Sequence, residues 1–134
     1  MMGLAGAVLG GWHLESFSTT DAETGVVSTP LGEQPQGLIL YTADGHMSAQ
    51  LARRDGSGYL AYGGRFSADE DTATLRHDVQ MSSTPELLAA PQFRRAHLEG
   101  DRLTLSATMT GPTGATSHAT LVWGRAAPGR DRRT

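Results

Sequence analysis

The feature that most constrains this chain is a two-residue alternation of apolar and polar side chains, broken at short intervals by Gly, Asp and Pro. Successive side chains of an extended strand point to opposite faces, so this alternation builds strands with one buried face. Nine runs carry it: Trp12–Thr19, Gly25–Ser28, Gly37–Thr42, His46–Leu51, Leu60–Ala68, Thr72–Met81, Gln92–Glu99, Arg102–Met109 and Thr116–Arg125. Their spacing is that of an all-β sandwich or barrel, and they suffice for a closed antiparallel sheet of about eight strands. Asp44-Gly45 and Gly100-Asp101 join neighbouring runs as short hairpins. Helical chemistry is confined to Thr84–Ala90, where Pro85 suits a first helical position and Leu87, Leu88 and Ala89 follow; this stretch reads as one helical turn or a lid.

A chain of 134 residues supports one hydrophobic core, assigned to residues 1–125, with residues 126–134 as a polar, frayed tail. The apolar opening Met1–Gly10 lacks a basic flank and runs straight into Gly11-Trp12, so it reads as the lead-in to a strand rather than a leader peptide. No apolar stretch is long enough to span a bilayer. A net charge of -3 offers no surplus of cations to neutralise phosphates, which argues against a nucleic-acid partner. With no Cys, disulfides and thiolate chemistry are excluded and the cytoplasm is the default compartment. All 11 basic residues are Arg, so a lysine Schiff base is excluded as well.

Several motifs occur in a telling order. Gly11-Trp12-His13-Leu14-Glu15-Ser16-Phe17 is followed by Pro30-Leu31-Gly32 and then by Gly37-Leu38-Ile39-Leu40-Tyr41-Thr42-Ala43-Asp44-Gly45-His46-Met47-Ser48. Leu60-Ala61-Tyr62-Gly63-Gly64-Arg65-Phe66, His77-Asp78-Val79, Gln92-Phe93-Arg94-Arg95, Leu98 to Leu105 and Leu121-Val122-Trp123 come after. From about Gly10 to Arg125 the chain resembles the bacterial and fungal lipocalin-like domain family, most specifically in its Tyr-Thr-x-Asp-Gly-x-Met run. The resemblance implies a calycin-type barrel around a small-molecule cavity. Similar small barrels in polyketide pathways are cofactor-free cyclases or isomerases. It also implies an Arg packed over the opening-strand Trp at the closed end, a place open to Arg125 above Trp12. Many members have a longer, helix-containing segment where only Ala52–Gly58 stands here, and this shortening predicts a wider mouth.

Inside a small barrel only inward side chains meet a ligand, so parity selects the site. A two-residue Asp-Gly loop pairs Tyr41 with Ser48 and Ile39 with Gln50, which makes Ser48 and Gln50 ligand-binding candidates. A three-residue loop pairs Tyr41 with Met47 instead and turns both away. Tyr41 is either a hydrogen-bond donor to a ligand carbonyl or a packed core residue, and Tyr62 poses the same choice. His77 shares a face with Leu75, Val79 and Met81, where it is either a general base or a satisfied core histidine. Gln92 and Arg94 share a face, and an inward Arg would hold a carbonyl or acidic group. Phe66 is a wall candidate, and Trp123 is either a wall of the cavity or part of the closed end.

Tyr41, His77 and Arg94 are thus the catalytic candidates, and Tyr62, Phe66, Ser48, Gln50, Gln92 and Trp123 the ligand-binding ones. No cofactor is expected. His13 and Glu15 lack a third ligand at sensible spacing, so no metal site is expected either. The expected activity is cofactor-free cyclisation or isomerisation of an apolar, polyketide-like molecule bound in the barrel. The alternatives are a carrier for a small hydrophobic metabolite and a barrel filled by its own side chains that acts only as an interaction module. Exposed strand edges would also favour a homo-oligomer.

Overall fold

The computed structural model describes residues 3–110 and 113–126. Its strands are β1 (Gly10–Asp21), β2 (Val27–Ser28), β3 (Gln36–Tyr41), β4 (His46–Ala52), β5 (Leu60–Asp69), β6 (Thr74–Ser82), β7 (Gln92–Glu99), β8 (Arg102–Thr110) and β9 (Thr116–Arg125). Strands β3 to β9 pair antiparallel in chain order, and β1 bonds to β3 on one side and β9 on the other. Eight strands therefore close into a barrel, with β2 as a short outer addition to β1. The fold is the lipocalin-like all-β barrel that the alternation and motifs predict. Of the expected tail, residues 127–134 lie outside the described residues.

Burial follows the alternation. Ile39, Tyr41, Met47, Ala49 and Leu51 are buried, while Leu40 and Gln50 between them are exposed. The β3–β4 register pairs Tyr41 with Met47, so the loop is the three-residue one, Ala43 to Gly45. Gly45 takes the left-handed φ of +89° that closes a turn of this length, and its N–H bonds to Thr42 O at 3.1 Å. Ser48 and Gln50 consequently sit on the outer face, contrary to the two-residue reading.

Two bulges reset parity. In β1 the extra residue is Glu15, between the Leu14–Trp123 and Ser16–Val122 pairs, so Leu14 and Phe17 both face inward. In β6 it is Gln80: Gly64 pairs with Val79, and Gly63 with Met81. A Cβ on Gly64 would run into the carbonyl of Asp78, so this bulge requires glycine. Met81 is thereby turned out, 73% exposed, and leaves the face it was expected to share with His77.

One end is sealed. The opening segment is not all strand lead-in, because Leu4–Ala7 forms one helical turn, α1. Leu and Ala have high helix propensity, and the Glu70 carboxylate accepts the Leu4 N–H at 2.7 and 2.8 Å. Val8 and Trp12 are fully buried beneath α1, with Trp12 Nε1 donating to Val8 O at 2.9 Å. The Arg125 guanidinium lies 3.8 Å from the centre of the Trp12 ring. Its Nη2 donates to Ala7 O, the last carbonyl of α1, at 3.0 Å, and its Nη1 to Leu9 O just beyond the turn at 2.6 Å.

The opposite end carries the connection 53–59, the loop 29–35 and a 3-10 turn at Pro85–Leu88. Leu31 and Leu87 from these loops pack against the core. Leu31 comes across to lie beside Gly58 of the short 52–58 connection.

Arg125→Ala removes two charge-assisted hydrogen bonds and a cation–π contact, and should cost about 2–4 kcal/mol of stability in urea denaturation. Arg125→Lys, which keeps the charge but not the fork, should fall between. A loss under about 0.5 kcal/mol, the range of ordinary surface substitutions, would show that the sealed end does not depend on this side chain.

Candidate functional site

Between the sealed end and the 85–88 turn lies an apolar cavity of about 110 Å³. Small inward residues create it: Ala107 of β8 stands directly across from Ala119 of β9, and Ala49 faces them from β4. Ile39, Leu105 and Trp123 form part of the wall, with Phe17 and Leu60. Leu87 comes in from the 85–88 turn, and Met109, half-exposed, marks the rim. These alanines were not singled out in the sequence, although Leu105-x-Ala107-x-Met109 and Ala119-x-Leu121-x-Trp123 carry the signal as small residues at inward parity.

The polar side of the cavity is one hydrogen-bonded cluster. His77, 0% exposed on β6, is held between two tyrosines: Tyr41 Oη lies 2.8 Å from Nε2 and Tyr62 Oη 3.1 Å from Nδ1. The strand pairings dictate this meeting. Phe66 pairs with His77 across β5 and β6, and Tyr41 reaches it from β3, its ring edge-on to Phe66 with centroids 4.8 Å apart. Arg94, beside the cluster on β7, is cross-strand from Leu75 and donates from Nη1 to Phe93 O at 2.9 Å.

Burial governs the ionisation of the cluster. Loss of water pushes the Tyr41 hydroxyl well above the usual phenol range and raises that of Tyr62, against the opposing pull of Arg94. Burial, seconded by repulsion from Arg94, lowers the His77 imidazole to about 3. His77 is therefore neutral, with both ring nitrogens taken by tyrosines. A base needs a free lone pair toward the substrate and a pKa near the working pH, and His77 has neither. The ring sits behind Tyr62, with neither nitrogen left to face the cavity.

Of the remaining candidates, the structure places Tyr62, Arg94 and Trp123 on the cavity wall and Tyr41 and Phe66 behind it. Gln92 faces the same interior but is engaged elsewhere: its Nε2 donates to Ala90 O at 3.0 Å and Leu87 O at 3.4 Å, anchoring the 85–88 turn. Ser48 and Gln50 stay outside, where Gln50 Oε1 accepts the Tyr59 hydroxyl at 3.1 Å. No group of three His, Asp or Glu side chains fit to hold a metal occurs among the described residues, and none of their helices is long and apolar enough to cross a membrane.

Barrel, sealed end and internal cavity define a class, and sequence comparison agrees with it. The lipocalin-like domain family matches residues 9–57 and 52–126, and the chain belongs to that family. The two matched stretches overlap at residues 52–57, at the short β4–β5 connection. The chain is also similar to the 4'-hydroxy-3'-methoxypropiophenone carrier protein ppsC of Aspergillus oryzae, 43% identical over 54 residues. That match takes in 36% of this chain and 49% of the relative, so it spans about half of that protein's length.

The depressed His77 pKa has a thermodynamic signature. Between pH 6.5 and about 3 the unfolded chain binds a proton at this position that the folded chain refuses. Stability should fall as pH drops through that window, with a slope approaching about 1.4 kcal/mol per pH unit from this group. His77→Gln abolishes that contribution, so urea denaturation at about pH 7.5 and pH 5 should show a smaller loss in the variant than in the wild type. Equal losses in both would mean that His77 is charged in the fold.

Proposed function

We propose that this protein binds a small, largely apolar molecule of about one aromatic ring inside the barrel and releases it unchanged, as a carrier. The observation that carries this reading is the apolar cavity inside the barrel, about 110 Å³, with its polar groups gathered on one side. An engineered apolar cavity of roughly 150 Å³ accepts benzene, so the size suits a single ring with modest movement of Leu87. A flexible chain long enough to fold and cyclise needs considerably more room. The carrier named among its relatives is named for an aryl ketone of this size class.

A second reading, a cofactor-free cyclase or isomerase acting on a polyketide-like intermediate, draws support from one observation. Tyr62 and Arg94 stand together on the wall, a pair suited to stabilise negative charge developing on a carbonyl oxygen. Product analysis separates the two: a carrier returns its ligand chemically intact after prolonged incubation, and a new product at catalytic protein concentration reverses the choice.

Trp123 lines the cavity, so its fluorescence reports occupancy. Propiophenone should bind saturably with a Kd on the order of 10 μM, reasonable for a ligand of about ten heavy atoms. Ala107→Phe, which fills the space left by the facing alanines, should weaken binding at least about tenfold, that is by about 1.4 kcal/mol, while the barrel stays folded by circular dichroism. No saturable response up to millimolar ligand, or equal affinity in Ala107→Phe, would remove the barrel interior as the binding site.

A further inference from the structure

We propose that the cavity recognises a carbonyl oxygen through two neutral donors, Tyr62 O–H and Trp123 Nε1–H, the first freed by His77 held as its Nδ1–H tautomer. The inference deepens the binding reading above and rests on it.

A neutral imidazole has one N–H and one lone pair in its plane, so its two tyrosine contacts must run in opposite directions. If the proton sits on Nε2, Tyr41 accepts it and must send its own proton elsewhere. Tyr41 is 2% exposed, and His77 is the hydrogen-bond partner of its hydroxyl among the described residues, so that proton would be stranded in the core. If the proton sits on Nδ1, Tyr41 donates to Nε2, and Tyr62 accepts from Nδ1. The Tyr62 proton then has no place in the cluster. It does have one outside, because Tyr62, unlike Tyr41, lines the cavity. Only the Nδ1–H arrangement leaves no donor trapped behind the wall.

Trp123 makes the same demand independently. It is 1% exposed and lines the cavity, and its Nε1–H has no hydrogen-bond partner among the described residues. Trp12, equally buried, shows the usual solution by donating to Val8 O. A buried N–H with no acceptor is rare and costly in a native fold, and a ligand oxygen removes the deficit. Besides Tyr62 and Trp123 the polar side chain on this wall is Arg94, which also only donates. The wall therefore offers donors and no strong free acceptor, which favours a ketone over an alcohol or amine, whose own protons would go unsatisfied.

The test compares propiophenone with propylbenzene, the same skeleton with CH₂ in place of C=O, on the full chain labelled with ¹⁵N at Trp and His. The two tryptophans give two indole signals. Propiophenone should move that of Trp123 downfield and leave that of Trp12 in place, whereas propylbenzene should bind about tenfold more weakly and cause no downfield shift. Tyr62→Phe should lower the affinity for propiophenone and leave that for propylbenzene unchanged. The ring ¹⁵N shifts of His77 in the free protein should report a protonated Nδ1. Equal affinity for both ligands with the Trp123 signal unmoved, or a protonated Nε2, overturns the donor assignment while leaving binding intact. Binding of neither ligand overturns the binding reading itself.

Discussion

The structure depends on β1 having two partners. Its first residues bond to β3 and most of its length to β9, so a single strand turns an open meander into a barrel with an inside. Twelve residues cannot serve both neighbours in one straight run, and the bulge at Glu15 gives the strand its bend. At the same place Trp12 lies opposite both Ile39 and Arg125. The residue that knots the sheet is thus also the one under the guanidinium that ties down α1.

With the barrel closed, a polar cluster becomes possible in an otherwise apolar core. Tyr41, Tyr62 and His77 come from three strands, and His77 holds both tyrosine hydroxyls at once. Such a cluster is rigid because breaking any contact strands a buried group. Arg94 adds a charge that opposes protonation of His77 and lowers the cost of negative charge nearby. With both of its ring nitrogens engaged, His77 directs no free lone pair into the cavity.

Much of the fold was legible because burial and alternation coincide on nearly every strand. Parity grouped His77 with Leu75 and Val79, and Arg94 with Ala96 and Leu98, on faces that the barrel turns inward, and the motif order pointed to the family. What the sequence hid has local causes. The Asp-Gly turn admits two loop lengths, and one residue of slip moved Ser48 and Gln50 to the outer face. The Gln80 bulge likewise threw Met81 outward. The saturation of both His77 nitrogens was beyond reach, since it depends on strands 36 and 15 residues apart in sequence meeting around one ring. The size of the cavity was missed because it is built from what alanines lack.

The pairing of β6 with β7 ends at His77 and Gln92, so the half of β6 beyond that point has no β7 partner. The 85–88 turn lies beyond that end, held by a bond from the Gln92 amide to Leu87 O and another to Ala90 O just after it rather than by a ladder. Displacing that turn breaks no strand–strand hydrogen bond, so its local opening costs less than unfolding the barrel. Order in the turn is then a property of a few residues, and global stability a property of the rest. The two can drift apart in evolution or be adjusted separately by design.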